Sequence, residues 1–116
     1  MRYLLLIANV ENGNAAPPSP EVMEAWQRYM GDLNATGKLL ASERLRPSTT
    51  ATTVRQSNGQ TLLSDGPFTE SKEQLGGFFL IEAEHLDEAV ALASRLPTLA
   101  RGGSVEIRPV WEQGGA

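Results

Sequence analysis

The chain has 116 residues and a mass of 12.5 kDa, a size typical of one domain. Ten Lys and Arg residues against 14 Asp and Glu residues give a formal net charge of −4, and 41% of the residues are hydrophobic. There is no cysteine and only one histidine, His85. These counts exclude disulfides, cysteine-ligated zinc, iron–sulfur clusters and a cysteine nucleophile, so we expect no metal and no other cofactor.

The charge distribution argues against direct binding to nucleic acid, and the shortness of the apolar runs argues against a membrane protein. Phosphate binding needs clustered Lys and Arg, whereas the basic residues are dispersed, with Arg44 and Arg46 the nearest to a cluster. The apolar run near the start of the chain ends at Asn9, far short of the roughly 20 residues that cross a bilayer. We interpret it as a strand rather than a signal peptide and predict a cytoplasmic protein.

The first half of the chain predicts a strand, a helix and a second strand. Residues 2–10 are β-leaning and apolar on both faces. Ser19 is placed as the N-cap of a helix with Pro20 at its first position, and Gly37 is a typical C-terminal stop. Residues 39–45 predict the second strand.

The second half predicts a hairpin, a two-sided apolar strand, a helix and a closing strand. Asn58-Gly59 between two β-branched runs is the strongest hairpin signal in the chain. The other predictions are a turn at Gly76-Gly77, a strand at 78–81, a helix from His85 to Pro97, an alternating strand at 104–111 and a disordered tail at 113–116. Residues 1–112 then form a single domain.

The element order β-α-β-β-β-α-β predicts a ferredoxin-like α+β fold with an added hairpin. Both helices then cover one face of the sheet, and strands with a water-facing side should alternate. The strands at 2–10 and 78–81 do not alternate. We therefore predict a homodimer packed through the open sheet face or a barrel-like junction, with a hairpin folded back over that face as the alternative.

Candidate polar chemistry is concentrated at residues 65–73. Asp65 lies where a strand ends, before Gly66-Pro67, and a carboxylate held there at the edge of a cleft would be suited to general acid–base catalysis. The alternative is an Asx-turn that reverses the chain. Lys72 would be a partner of Asp65 or an anion contact, with a solvated surface lysine as the alternative.

The run Asp65-Gly66-Pro67-Phe68, continued through Phe78, resembles the signature of the DGPF-motif branch of the YCII-related proteins. Residues 1–7, 51–55 and 104–110 fit the same family, so the resemblance covers nearly the whole chain. It implies a dimeric ferredoxin-like α+β barrel and small-molecule chemistry through a His–Asp pair in a cleft. For some DGPF-type members it implies a role accessory to sigma factors.

This chain departs from the pattern that the resemblance implies, because the family's histidine lies on the first helix and none is present there. Trp26 and Tyr29 lie on that helix instead and are interpreted, with Trp111, as core or dimer packing rather than a stacking platform. Asp65 is then the remaining catalytic candidate. His85 is predicted to cap the second helix rather than to act as a base.

Glu106 and Arg108 lie two residues apart on one face of the last predicted strand. If a dimer encloses that face, Arg108 would hold a carboxylate or phosphate; the alternative is a cross-strand or intersubunit ion pair. Two functions follow from the sequence. The first is a dimer that binds a small, anionic molecule in a cleft near the DGPF run, with acid–base chemistry from Asp65 and anion contacts from Lys72 or Arg108. The second is a non-catalytic dimer that acts through a protein partner such as a sigma factor.

Overall fold

The structure is a computed structural model, and it describes residues 1–11, 18–68 and 71–112. The predicted tail at 113–116 lies outside the described residues. The strands are β1 (Arg2–Val10), β2 (Leu39–Arg44), β3 (Thr52–Ser57), β4 (Gln60–Asp65), β5 (Glu73–Glu82) and β6 (Ser104–Pro109). The helices are α1 (Pro20–Ala35), α2 (Leu86–Ala93) and the short α3 (Pro97–Ala100), and a 3₁₀ turn at Ser48–Thr50 precedes β3. None of the described helices is both long and apolar enough to span a membrane.

Four strands form an antiparallel sheet in the order β2-β5-β1-β6. The strand order, with α1 between β1 and β2 and α2 between β5 and β6, is the ferredoxin-like arrangement. The β3–β4 hairpin is inserted between β2 and β5, and within the described part of the chain its two strands pair with each other and with no other strand. The predicted α+β fold with an added hairpin is therefore confirmed.

The core lies between the helices and one face of this sheet. Along β1, Tyr3, Leu5 and Ile7 are buried, while the intervening Leu4 and Leu6 are only half-buried. The buried set packs with residues from both longer helices, among them Tyr29, Leu33, Ala89 and Ala93. The opposite side, which we call the open face, carries Leu4, Leu6, Ala8, Phe78 and Leu80. No described helix covers it.

The ends of the helices follow the capping residues in the sequence. Ser19 accepts a hydrogen bond from the backbone N–H of Val22 at 3.3 Å, and Gly37 takes a φ of 72° just beyond α1. At α2, the Nδ1 atom of His85 accepts from the N–H of Glu88 at 3.2 Å. The predicted capping role of His85 is confirmed.

The prediction of a turn at Gly76-Gly77 is wrong, because both glycines lie inside β5. The register of β1 and β5 shifts here, so that Gly76 forms a β-bulge between the partners of Ile7 and Ala8. A Cβ atom on Gly77 would lie 2.7 Å from the backbone oxygen of Glu43 in β2. The glycine therefore allows close approach of two strands, a role that its sequence context does not distinguish from a turn.

The predicted hairpin is confirmed and forms an arm, defined here as residues 52–65. Asn58 and Gly59 have φ values of 51° and 78°, as a type I′ turn requires. Every residue of β4 is exposed, so the arm does not fold back over the open face of its own chain. The open face therefore has no cover from the described part of the chain.

Candidate functional site

A cleft of about 700 Å³ lies between α1 and the end of the sheet where β1 finishes. Its walls combine apolar side chains with polar and cationic ones. The apolar side chains include Trp26, Met30 and Phe79, and the polar and cationic ones include Asn9, Arg44 and Arg101. A concave site with an apolar wall and a few polar groups is typical of small-molecule binding sites.

The apolar wall is set by an aromatic cluster between α1 and β5. The rings of Trp26 and Phe79 meet edge to face with centroids 6.3 Å apart, and Tyr29 lies 6.0 Å from Phe79. Tyr29 donates a hydrogen bond to the backbone oxygen of Leu92 at 2.8 Å, and burial raises the pKa of Tyr29 to about 12. These contacts hold α1 in place and fix the Trp26 ring at the cleft, in agreement with its prediction as a packing residue.

Two arginines supply positive charge to the cleft. Arg44 is the register partner of Gly77, and strand alternation therefore directs it to the helix side of β2. Arg101 enters from the end of α3. Neither guanidinium forms an ion pair with any residue in 1–11, 18–68 or 71–112. A guanidinium presents five N–H donors in a planar fork that matches carboxylate and phosphate.

The described lining of the cleft offers little for proton transfer. Its carboxylate-bearing residue is Glu43, the register partner of Phe78, so alternation directs this side chain to the open face. His85 lies at the start of α2 with its Nδ1 committed to the cap. The geometry therefore suits binding of an anion better than acid–base catalysis.

Asp65 and Lys72 lie outside the cleft, at the base of the arm. Both side chains are exposed, and the turn after Asp65 is held by the N–H of Gly66 donating to the oxygen of Ala51 at 2.8 Å. The backbone oxygen of Lys72 accepts from the N–H of Glu11 at 3.2 Å, and the Glu11 carboxylate accepts from the N–H of Ser48 at 2.8 Å. Glu11 thus ties the base of the arm to the end of β1, next to the mouth of the cleft.

Glu106 and Arg108 lie on the open face, as partners of Leu6 and Leu4. The Nε atom of Arg108 donates to the Oε2 atom of Glu106 at 2.6 Å, so the two charges pair within one strand. From Leu4 to Glu11 is seven residues of extended chain (11 − 4), or roughly 23 Å. Within one chain the structure therefore does not bring Arg108 together with Lys72.

One further cluster contains groups that could ligate a metal. Ligand atoms of Glu84, His85 and Glu88 all lie within 4.8 Å of one another. Lys38 already hydrogen-bonds the carboxylate of Glu88, which lowers the pKa of Glu88 and raises the pKa of Lys38. The ammonium group of Lys38 therefore already supplies a positive charge to this cluster, and His85 uses one of its two ring nitrogens to cap α2.

The sequence interpretation missed Arg44 and Arg101 as candidate ligands. For Arg44 a signal was present, because residues 39–45 form an apparent strand in which Ser42 and Arg44 share a face. For Arg101 no signal was present. It follows a short helix, and only the packing of α3 beside β1 and β6 brings it to the cleft.

Comparison with known proteins agrees with this fold. Residues 1–113 match the model of the YCII-related domain, and the chain belongs to that family. An uncharacterized protein of Rhizobium meliloti (strain 1021) is 42% identical over 118 residues, covering 95% of this chain and 92% of the relative.

A solved structure with a similar fold is 5-chloro-2-hydroxyhydroquinone dehydrochlorinase from Burkholderia phenoliruptrix AC1100, in complex with 2,5-dihydroxybenzoquinone. It has a TM-score of 0.51 and 18% identity, and the match covers 97% of this chain and 94% of that one. At this identity the likeness concerns the fold alone. Neither similar protein is described as a partner of a sigma factor, so that partner stays a prediction.

Proposed function

We propose that the protein binds a small anionic organic molecule in the cleft between α1 and the sheet. The observation that carries this proposal is the position of two arginines, unpaired among the described residues, beside an aromatic wall. Arg44 and Arg101 would hold a carboxylate, phosphate or phenolate, and Trp26 and Phe79 would contact a planar apolar body. Binding would draw on charge-assisted hydrogen bonds and apolar burial together.

The structural neighbour supports the class of molecule to test first. Its bound 2,5-dihydroxybenzoquinone is a planar ring that carries several oxygens. A molecule of this shape fits the combination of an aromatic wall and guanidinium donors described above. Planar ring acids and phenols are therefore the ligand class that we propose.

Asp65 and Lys72 enter this proposal as outer contacts. They lie at the base of the arm, which Glu11 ties to the end of β1 beside the cleft. Lys72 would meet an anionic group that extends beyond the mouth. An acid–base role for Asp65 requires a ligand long enough to reach it, because the described lining of the cleft directs no carboxylate inward.

We also infer that the chain belongs to the DGPF-motif branch and forms a homodimer through the open face. The contiguous run at 65–78 supports the first inference. The second is supported by the apolar open face, which carries Leu6, Phe78 and Leu80 without a covering helix. In such a dimer the Glu106–Arg108 pair would lie at the junction, where its charges already neutralise each other.

Isothermal titration calorimetry with benzoate and 2,5-dihydroxybenzoquinone tests the proposed ligand site. Arg44→Ala and Arg101→Ala should each weaken binding about tenfold, because each removes charge-assisted hydrogen bonds. Arg46→Ala is the matched control, since Arg46 is exposed and does not line the cleft. Equal affinities for the wild type and both cleft variants, or an equal loss in the control, would contradict the proposal.

A further inference from the structure

The arm presents an apolar pair with nothing packed on it. Val54 and Leu63 are register partners on one face of the arm, and their exposed fractions are 62% and 69%. Cross-strand apolar pairs of this kind stabilise a sheet when water is excluded from them. In the described chain, water has free access to both side chains.

The other face of the arm differs, because it has an internal partner. There the guanidinium of Arg55 lies 4.9 Å from the ring centroid of Phe68, which follows the arm. This cation–π contact covers part of the apolar surface on that side. The Val54–Leu63 face, which we call the arm face, has no such cover among the described residues.

Among the described residues, the two strands of the arm make no extensive contact with the other helices and strands of the chain. A two-stranded hairpin alone is marginally stable in water, and it needs packing against another surface. The radius of gyration is 16.3 Å, against about 13 Å for a compact chain of this length. Neither strand contains proline or lysine, residues that commonly protect unpaired strand edges from association.

We propose that the arm face packs against a second copy of the chain, as a clasp that extends the dimer interface. The proposal rests on the homodimer inferred above and is independent of the ligand. A second copy is always present in equal amount, so it can cover an exposed apolar pair in every molecule. Apart from Arg55 and Asp65 the arm carries no charge, so docking on another chain of net charge −4 meets little like-charge repulsion.

The area that a stable interface must bury favours a second copy of the chain as the partner of the arm face. The four strands of the open face are between six and ten residues long, which gives a flat footprint of roughly 500 Å² per chain. Stable interfaces bury at least about 600 Å² per partner, so the open face alone falls short. One face of the arm, with two strands of six residues each, adds roughly 200 Å² and brings the total above that threshold.

Analytical ultracentrifugation of two double variants tests the clasp. Val54→Lys with Leu63→Lys places two charges on the arm face, and we expect the dimer dissociation constant to rise at least about tenfold. Ser57→Lys with Gln60→Lys adds the same charge at the tip, on the opposite side of the arm, and should change the constant less than about threefold. All four side chains are exposed, so circular dichroism should show an unchanged fold in both variants.

The outcomes separate the clasp from the dimer itself. If Leu6→Asp on the open face dissociates the dimer and the arm-face variant does not, the clasp is wrong while the homodimer stands. If both double-lysine variants weaken the dimer equally, the clasp is also wrong and the homodimer also stands. A wild-type protein that is monomeric up to about 100 µM contradicts the homodimer and the clasp together.

Discussion

Arg44 and Arg46 are two residues apart in sequence, but Arg44 lines the cleft and Arg46 does not. Arg44 is the last residue of β2 and shares the helix-side face of the sheet with Phe79, whereas Arg46 lies beyond the strand. The guanidinium of Arg44 brings a positive charge and a fork of N–H donors to the cleft, and no acid among the described residues forms an ion pair with it. At the residue scale this makes anion binding the chemistry that the cleft supports best.

Tyr29 gives a prediction about pH. Burial raises its pKa to about 12, so an unfolded chain loses this proton near pH 10 while the folded chain keeps it. The stability that Tyr29 contributes is therefore present below pH 10 and lost between pH 10 and 12. In urea denaturation, Tyr29→Phe should be about 1 kcal/mol less stable at pH 8, because Leu92 loses its hydrogen bond.

The same variant should lose less stability than the wild type when the pH is raised from 9 to 11. The other titrating groups are common to both proteins, so the difference isolates Tyr29. Parallel losses in the two proteins would mean that Tyr29 ionises equally in the folded and unfolded chains.

Among the elements, β5 leaves no room for a side chain on either of its two glycines. Gly76 forms the bulge opposite β1, and Gly77 packs beneath the backbone of Glu43 in the edge strand β2. Because β2 also presents Arg44, the spacing between these two strands helps to set the width of the cleft. Strand contact and site geometry are therefore coupled at this point.

Replacing Gly77 with Ala should destabilise the protein by about 2 kcal/mol, because the new methyl group meets backbone rather than a flexible side chain. Gly31→Ala in the middle of α1 is the matched control: nothing lies within 4 Å, and alanine favours the helix by up to about 1 kcal/mol. In urea denaturation, the midpoint concentration should fall for Gly77→Ala and rise for Gly31→Ala. A Gly77→Ala protein with the stability of the wild type would show that β2 can shift without a loss in the free energy of unfolding.

At the scale of the whole molecule, large apolar side chains are exposed in several places among the described residues, and three of these places bear on assembly. These are the open face of the sheet, the arm face and Trp111, which is 90% exposed. Trp111 is therefore not part of the core of its own chain, and its packing in a dimer stays a prediction. Exposed apolar surface of this extent marks interaction sites.

Size-exclusion chromatography with light scattering tests the open face directly. Leu6 lies at the centre of this face on β1, and Leu6→Asp would bury a charge in the proposed junction. We expect a wild-type dimer and a largely monomeric variant. Asn34→Asp adds the same charge on the exposed side of α1 and should remain dimeric. A Leu6→Asp protein with the mass of the wild type would rule out this face as the interface.

The sequence alone determined the order of the main strands and helices, but it missed the first half of β5, and it predicted one helix up to Pro97 where α2 ends at Ala93 and Pro97 begins the short α3. The two-sided apolar strand at residues 2–10, the Ser19 cap and the Asn58-Gly59 turn are local patterns, and each acts through neighbouring residues in the chain. These features follow from backbone geometry that does not depend on the rest of the fold.

Only the tertiary structure decided where the candidate site lies. Arg101 and Arg44 are 57 residues apart in sequence (101 − 44), and they meet at one cleft because α3 packs beside β1 and β6. Asp65 and Arg108 carried the stronger sequence signals, yet they lie on the arm and on the open face. Long-range packing sets these positions, and a single sequence encodes it only through the sum of many weak contacts. The single histidine illustrates both contributions. Its position in the sequence predicted a helix cap, and the tertiary structure keeps it away from the cleft.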